Sequence, residues 1–246
     1  MRAIILAAGV GLRLQQPEPQ LPKCLLQFGG RSLLERHLHL LGRAGVEEVV
    51  VVLGFHYQMV EAHLASVGAP LRPQIVLNPR FELGSVLSLD TAAAALTGGG
   101  EVLIMDADVL YHERIMAALV AGEEPVNRIL IDREFEAGAE PVKVCVRAGV
   151  PFELRKQLGA DLRYDTIGES VGFFRFSEPG ARRLAQITGD YVASGRAGQP
   201  HEEAVRDMVR EAIQPFEVTD ITGTPWIEID FPDDVQRAER DILPRL

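Results

Sequence analysis

The chain has little cysteine. Cys24 and Cys145 are the two in 246 residues, too few for a disulfide framework, and a reducing cytoplasm fits them. Cys24 stands next to Lys23, where a reactive thiol is conceivable, but a small buried hydrophobe is the favoured reading. No apolar run approaches the roughly 20 residues that span a bilayer, so no membrane span is expected. Met1-Arg2 and the short apolar stretch behind them imitate a secretory signal but are too brief for one, and read as a first strand. Positive charge is in deficit, 25 Lys and Arg against 35 Asp and Glu, for a net charge of -10. A general nucleic-acid binder needs a basic face, so that class is excluded. An anionic small substrate is not, because a few cations and a divalent ion invert the potential inside a single cleft. The six histidines show no metal-ligand spacing. His37 and His39 share a helix without an i, i+4 partner, which argues against zinc. No Ser-His-Asp or Cys-His arrangement for acyl chemistry stands out, and the lone Trp226 reads as a packing residue.

Apolar residues make up 47% of the chain, enough for a sizeable core. The first half alternates short apolar runs with helical patterns. Strands are expected at 3–6, 49–53, 74–77 and 102–105, and helices at 32–44, 57–65, 86–96 and 115–120. Gly45 and Gly98-Gly99-Gly100 serve as stops. Such alternation predicts an α/β fold, a Rossmann-like, mostly parallel mixed sheet flanked by helices. The second half changes character. Runs at 128–132, 142–147 and 171–176 suggest antiparallel additions and a lid, followed by helices near 180–188 and 202–212. A last strand is expected at 226–229, with Pro232 opening a C-terminal helix. No repeat or long linker divides the chain, so residues 1–246 read as one domain.

The first strand runs into Leu6-Ala7-Ala8-Gly9-Val10-Gly11-Leu12-Arg13-Leu14, and Pro22-Lys23 follows. Glycines after a buried strand let backbone N–H groups close on an anion, and Arg13 and Lys23 add fixed positive charge. The loop is not a Walker A, because no Gly-Lys-Ser/Thr follows. It is a poor dinucleotide fingerprint, because Leu14 holds the place of the third glycine. Taken alone, the two glycines read equally well as a structural turn.

Further along, Asp106-Ala107-Asp108 closes an apolar strand where an α/β sheet faces its ligand crevice. Alternation points both carboxylates to one face, where they suit Mg²⁺. A solvated turn or a helix cap explains the triplet as well. Gly84-Ser85 opens the alanine-rich helix, with Ser85 as an N-cap, a base contact or both. Lys143 sits in an apolar strand, where its charge is either used on an acceptor phosphate or carried on the outward face of an edge strand. For Lys156 the exposed reading is favoured.

The string from Leu6 to Lys23 resembles the signature of the nucleotidyltransferases that make activated sugars and alcohols, L-A-A-G-x-G-[ST]-R-[LM]…P-K. It departs at Leu12, where the family has Ser or Thr. Asn78-Pro79…Gly84-Ser85…Ser88-Leu89 resembles the base-reading segment of the phosphocholine and phospho-alcohol cytidylyltransferases. Trp226 to Asp234 resembles a late acidic segment of the same enzymes. The resemblance implies a Mg²⁺-dependent enzyme that joins CTP to a phosphorylated alcohol or phosphonate and releases pyrophosphate. It implies Arg13 and Lys23 as catalytic cations, and Leu6, Ala7, Ala8, Gly9, Gly11, Gly84, Ser85 and Asp106 as the nucleotide site. Asp108, Asp230 and Glu228 are the implied metal ligands, Asp230 ranking before Glu228, with Glu203 as the alternative second ligand. Lys143 and Glu169 are the implied acceptor contacts. A homodimer is compatible with this reading. The rival readings are a sugar-1-phosphate or inositol-phosphate transferase using UTP or another nucleotide, and an inactive nucleotide-sensing subunit.

Overall fold

Strand β1 (Arg2–Ala7) has no polar residue after Arg2, and every later residue is buried. Ile4 and Leu6 face one core layer, and Ala3, Ile5 and Ala7 face the other, as in a strand covered on both sides. The computed structural model, which describes residues 1–14, 20–122 and 125–246, places β1 inside a nine-stranded sheet. A small hairpin of β2 (Gln27–Phe28) and β3 (Arg31–Ser32) precedes α1 (Leu33–Arg43), β4 (Glu48–Leu53), α2 (Tyr57–Ser66) and β5 (Gln74–Leu77). β4 pairs in parallel with β1, and β5 with β4. α3 (Ser85–Thr91) and α4 (Ala93–Thr97) bring the chain back to β6 (Val102–Asp106), which pairs in parallel with the other edge of β1. Strand order therefore reverses between β1 and β6, and open sheets bind ligands beyond the carboxyl ends of strands at such a point.

The remaining elements are β7 (Val109–Tyr111), α5 (Glu113–Val120), β8 (Asn127–Asp132), β9 (Lys143–Arg147), β10 (Val150–Arg155) and β11 (Thr166–Phe176). After them come α6 (Glu178–Ala193), α7 (His201–Glu211), β12 (Phe216–Asp220), β13 (Trp226–Glu228) and α8 (Pro232–Arg237). β11 runs antiparallel to β6, β8 and β9, and β10 folds back on β9. The expected mostly parallel sheet with antiparallel additions is thus present. Helices α3, α4, α6 and α7 cover one face, and α1, α2 and α5 the other.

Local chemistry sets the boundaries. Ser32 accepts a hydrogen bond from Glu35 N at 3.1 Å and starts α1, while Ser177 caps α6 through Gly180 N. Such caps each contribute about 1 kcal/mol. The helix expected over 86–96 is two helices. Ala92 leaves helical geometry (φ -91°, ψ 14°), and its carbonyl accepts from both Ala95 N and Leu96 N. No proline or glycine marks that break. Ser85 is not the cap of α3, because Gly84 holds that position. β12 escaped notice because its alternation buries Phe216 alone, and β7 because it spans three residues. Among the described residues, no helix is long and apolar enough to cross a membrane.

Candidate active site

The glycine loop leaves β1 at the switch point and walls a cleft of about 510 Å³. Leu6, Ala7, Ala8, Gly9 and Gly11 line it on one side, Gly84, Ser85 and Ser88 on another, and Asp106, Asp108, Glu228 and Asp230 at its floor. Gly11 adopts φ +69°, and a Cβ there would come within 2.9 Å of the Lys23 side chain, so the position favours glycine on both counts. Among the described residues, no hydrogen bond uses the N–H groups of Gly9, Val10, Gly11 or Leu12, and all four residues line the cleft, so the loop has the unused donors that an anion cradle requires. The Leu12 side chain is 74% exposed and brings no polar group.

Asp108, Glu228 and Asp230 each bring one oxygen within 4.8 Å of the others. Two short strands make this possible. β7 and β13 pair antiparallel with Glu228 opposite Val109. Ile227 and Ile229 anchor in a satellite core with Leu14, Phe28, Leu33 and Leu110, and alternation turns Glu228 and Asp230 the other way. Lys23 Nζ donates to Asp230 Oδ1 at 2.6 Å and to Asp108 Oδ2 at 2.9 Å. Arg13 donates to Asp230 Oδ2 at 2.7 Å and to Glu140 Oε2 at 2.6 Å, and its guanidinium lies 5.3 Å from the Phe231 ring centre. Burial pulls the Lys23 ammonium toward its neutral form, but Asp108 and Asp230 outweigh it and hold the pKa above its ordinary value. Glu228 is exposed, yet the surrounding protein and then the charges of Asp108 and Asp230 push its carboxyl well above the usual range. Three hard oxygen donors around one point, one of them short of a cation, fit a magnesium ion.

Asp106 and Asp108 do not act together as strand alternation predicts. β6 ends at Asp106 and a turn intervenes, so Asp106 falls in with His201 and Glu202 at the start of α7. Burial, then Glu202 and Asp108, push its carboxyl well above the usual range. Gly172, at φ +77°, lets β11 pass, since a Cβ there would lie 2.3 Å from Asp106 Oδ2. Ser85 Oγ accepts from the His201 backbone N–H at 2.8 Å, so this serine caps α7 rather than its own helix. Glu203, the alternative metal acid, instead pairs with Arg155 and Arg206.

A second cavity of about 850 Å³ adjoins this cluster and is lined in part by Glu228 and Asp230. Glu169 lines it, with a pKa pushed up to about 7 by burial and by the neighbouring Asp132. Trp226 lines it too, and its Nε1 donates to Asp132 at 2.8 Å. Lys143 is not among the lining residues. Its ammonium donates to the carbonyls of Gly138, Pro141 and Lys156 at 2.8–3.1 Å, which ties down the loop walling the cavity and leaves no free donor for an acceptor. Of these two lysines, Lys156 is the one that lines the cleft of the glycine loop, and it shares Glu140 with Arg13. No periodicity distinguished the two lysines. A loop contact between residues 140 and 156 decides between them.

This combination of loop, cations and strand-end acids can be compared with known proteins. The MobA-like NTP transferase domain matches residues 3–168. The chain belongs to that family. The chain is 29% identical over 242 residues to a bifunctional IPC transferase and DIPP synthase of Rubrobacter xylanophilus, covering 98% of this chain and 52% of that protein. It is 27% identical over 251 residues to a CMP-5'-(3-aminopropyl)phosphonate synthase of Streptomyces rubellomurinus, covering 99% of this chain and 39% of that one. The chain therefore spans about half the length, or less, of these relatives. The structure of an inositol-1-phosphate CTP transferase from T. maritima superposes with a TM-score of 0.78 at 19% identity, over 99% of this chain and 95% of that one. This likeness establishes the nucleotidyltransferase fold.

Proposed function

We propose that this protein is a Mg²⁺-dependent cytidylyltransferase acting on a phosphorylated or phosphonylated amino-alcohol-type acceptor. One observation carries the reading: Lys23 and Arg13 sit on the carboxylates of Asp108 and Asp230, beside a glycine loop whose N–H groups are free among the described residues. A triphosphate entering the loop supplies oxygens for the loop N–H groups, Lys23 and Arg13, and thereby uncovers the acids. Asp108, Glu228 and Asp230 would hold the magnesium ion, which supplies charge neutralisation at the phosphates. An oxygen of the acceptor phosphate or phosphonate bonds to the α-phosphorus, and the α–β bridging P–O bond breaks to release pyrophosphate. The nucleophile is already an oxyanion, so no general base is needed. Arg13 and Lys23 act by stabilising charge as it develops at the α-phosphate.

Gly84, Ser85 and the 7–9 backbone flank the place where the base would lie. Cytosine is supported by the relative named for a CMP product. The second cavity favours a cationic acceptor head. Asp132, Glu134, Glu136, Glu169, Asp233 and Asp234 line it against a single guanidinium, Arg237, with Phe135, Trp226 and Phe231 offering ring faces. The test is pyrophosphate release from CTP, UTP, ATP or GTP with Mg²⁺ and phosphocholine, phosphoethanolamine, 2-aminoethylphosphonate or inositol phosphate. Turnover should be highest with CTP and an amine-bearing acceptor. Release that shows no CTP preference would sink the base assignment, and a preference for inositol phosphate would sink the cationic head.

A further inference from the structure

We infer that Asp106, His201 and Glu202 form a second cation site on the cleft floor, one that takes a borderline divalent transition ion such as Mn²⁺, Co²⁺ or Zn²⁺. The site is separate from Asp108, Glu228 and Asp230, and it holds whichever nucleotide the enzyme uses. The three side chains each bring one donor atom within 4.8 Å of the others. His201 is 2% exposed, and its Nε2 has no hydrogen-bond partner. That nitrogen faces Asp106 Oδ1 at 3.9 Å. The distance is too long for a hydrogen bond but suits two donors that each stand about 2.0–2.2 Å from a shared ion. Glu202 Oε2 is also buried without a hydrogen-bond partner, although it lies 3.1 Å from His201 Nδ1. Ser85 Oγ, 3.2 Å from Nδ1, holds the ring from behind, as ligating imidazoles are commonly held through their other nitrogen.

Charge separates the two acid groups. Asp108 and Asp230 already carry Lys23 and Arg13. Among the described residues, Asp106 and Glu202 have no lysine or arginine within ion-pair distance, and His201 alone approaches them. A divalent ion balances two carboxylates and a neutral imidazole without displacing any internal cation. The imidazole sets the selectivity, since Mg²⁺ prefers an all-oxygen shell and transition ions accept nitrogen.

The test is a Mn²⁺ titration of the nucleotide-free full chain, followed by electron paramagnetic resonance with spin-echo detection of ¹⁴N modulation. One Mn²⁺ per chain with imidazole modulation is expected, persisting in a ten-fold excess of Mg²⁺. Asp108→Asn should leave both signals in place. His201→Gln should abolish the modulation, and Glu202→Gln, which keeps the imidazole and the side-chain size, should weaken binding at least ten-fold. Binding without ¹⁴N modulation, no binding below millimolar Mn²⁺, displacement by equimolar Mg²⁺, or modulation that survives His201→Gln would each overturn the site.

Discussion

Replacing Lys23 with methionine removes the cation shared by Asp108 and Asp230 and keeps the length of its apolar stem. Lys23 Nζ lies 2.6 Å from Asp230 and 2.9 Å from Asp108, and these three side chains are between 12% and 21% exposed. At an effective dielectric constant near 20, each contact has a gross Coulomb attraction of about 6 kcal/mol, most of it offset by lost hydration. Removing one partner of a fully buried pair costs about 3–5 kcal/mol. Partial exposure lowers that to about 2–3 kcal/mol, or roughly 5–10 °C in Tm for a chain of this length. The sign of the metal response is the sharper test. In the wild type, added Mg²⁺ must compete with the ammonium, so nucleotide-free protein should show little rise in Tm. In Lys23→Met, Asp108 loses its cation and Asp230 keeps only Arg13, so Mg²⁺ at ten times its Kd should return about 1.4 kcal/mol. Turnover should fall about 10²- to 10³-fold, because in the proposed reaction Lys23 also stabilises the reacting phosphate. Scanning calorimetry with and without Mg²⁺ checks the first two effects, and pyrophosphate release the third. Equal Tm values for variant and wild type, with equal responses to Mg²⁺, would refute the account of Lys23 as a resident counter-ion.

Asp108→Asn should reduce turnover at least about 10²-fold with the fold intact, and unchanged pyrophosphate release would remove Asp108 from the metal site. Gly172→Ala should destabilise the chain by about 2 kcal/mol or more, because φ is +77° and the new Cβ would strike Asp106 Oδ2. Urea denaturation measures this, and an unchanged midpoint would mean that β11 relaxes freely. His37 is fully buried between Tyr111 and Phe173, and burial lowers its pKa to about 4. The unfolded chain takes up that proton near pH 6.5 while the folded one resists, so this contribution is whole above pH 6.5 and is lost as pH falls toward 4. It amounts to about 3 kcal/mol. Urea midpoints between pH 7 and 4 should fall less steeply in His37→Leu than in the wild type, and matching slopes would contradict the assignment.

Much of the first half was legible because local rules govern it. The Ile4-Ile5-Leu6 run, covered by helices on both faces, needs no partner to be recognised as a central strand, and Ser32 and Gly45 mark the ends of α1 through their own backbone chemistry. The loop between Leu6 and Lys23 was legible for a related reason. Its glycines and cations are close in sequence, and the fold keeps Gly9, Gly11, Arg13 and Lys23 on one cleft. The alternation of Ile227 and Ile229 with Glu228 and Asp230 likewise carried over directly into the site. Legibility failed where chain geometry departs from a simple period. The turn after Asp106 sends Asp106 and Asp108 to different neighbours. The antiparallel register of β11 on β6, with Phe173 opposite Met105, brings Gly172 against Asp106, and nothing local announces that pairing. Lys143 and Lys156 look alike in sequence, and carbonyls up to 13 residues away turn the first into a loop anchor.

By itself, then, the sequence determined the central strand, the glycine loop that follows it and the stock of acids and cations, since each depends on residues near one another along the chain. Only the tertiary structure decided which acid meets which charge. Lys23 meets Asp108 and Asp230 across 85 and 207 residues, and Asp106 meets the start of α7 instead of its own strand neighbour. Such pairings depend on how strands and helices close over the β1–β6 switch point, and side-chain period along any one element carries no information about that closure.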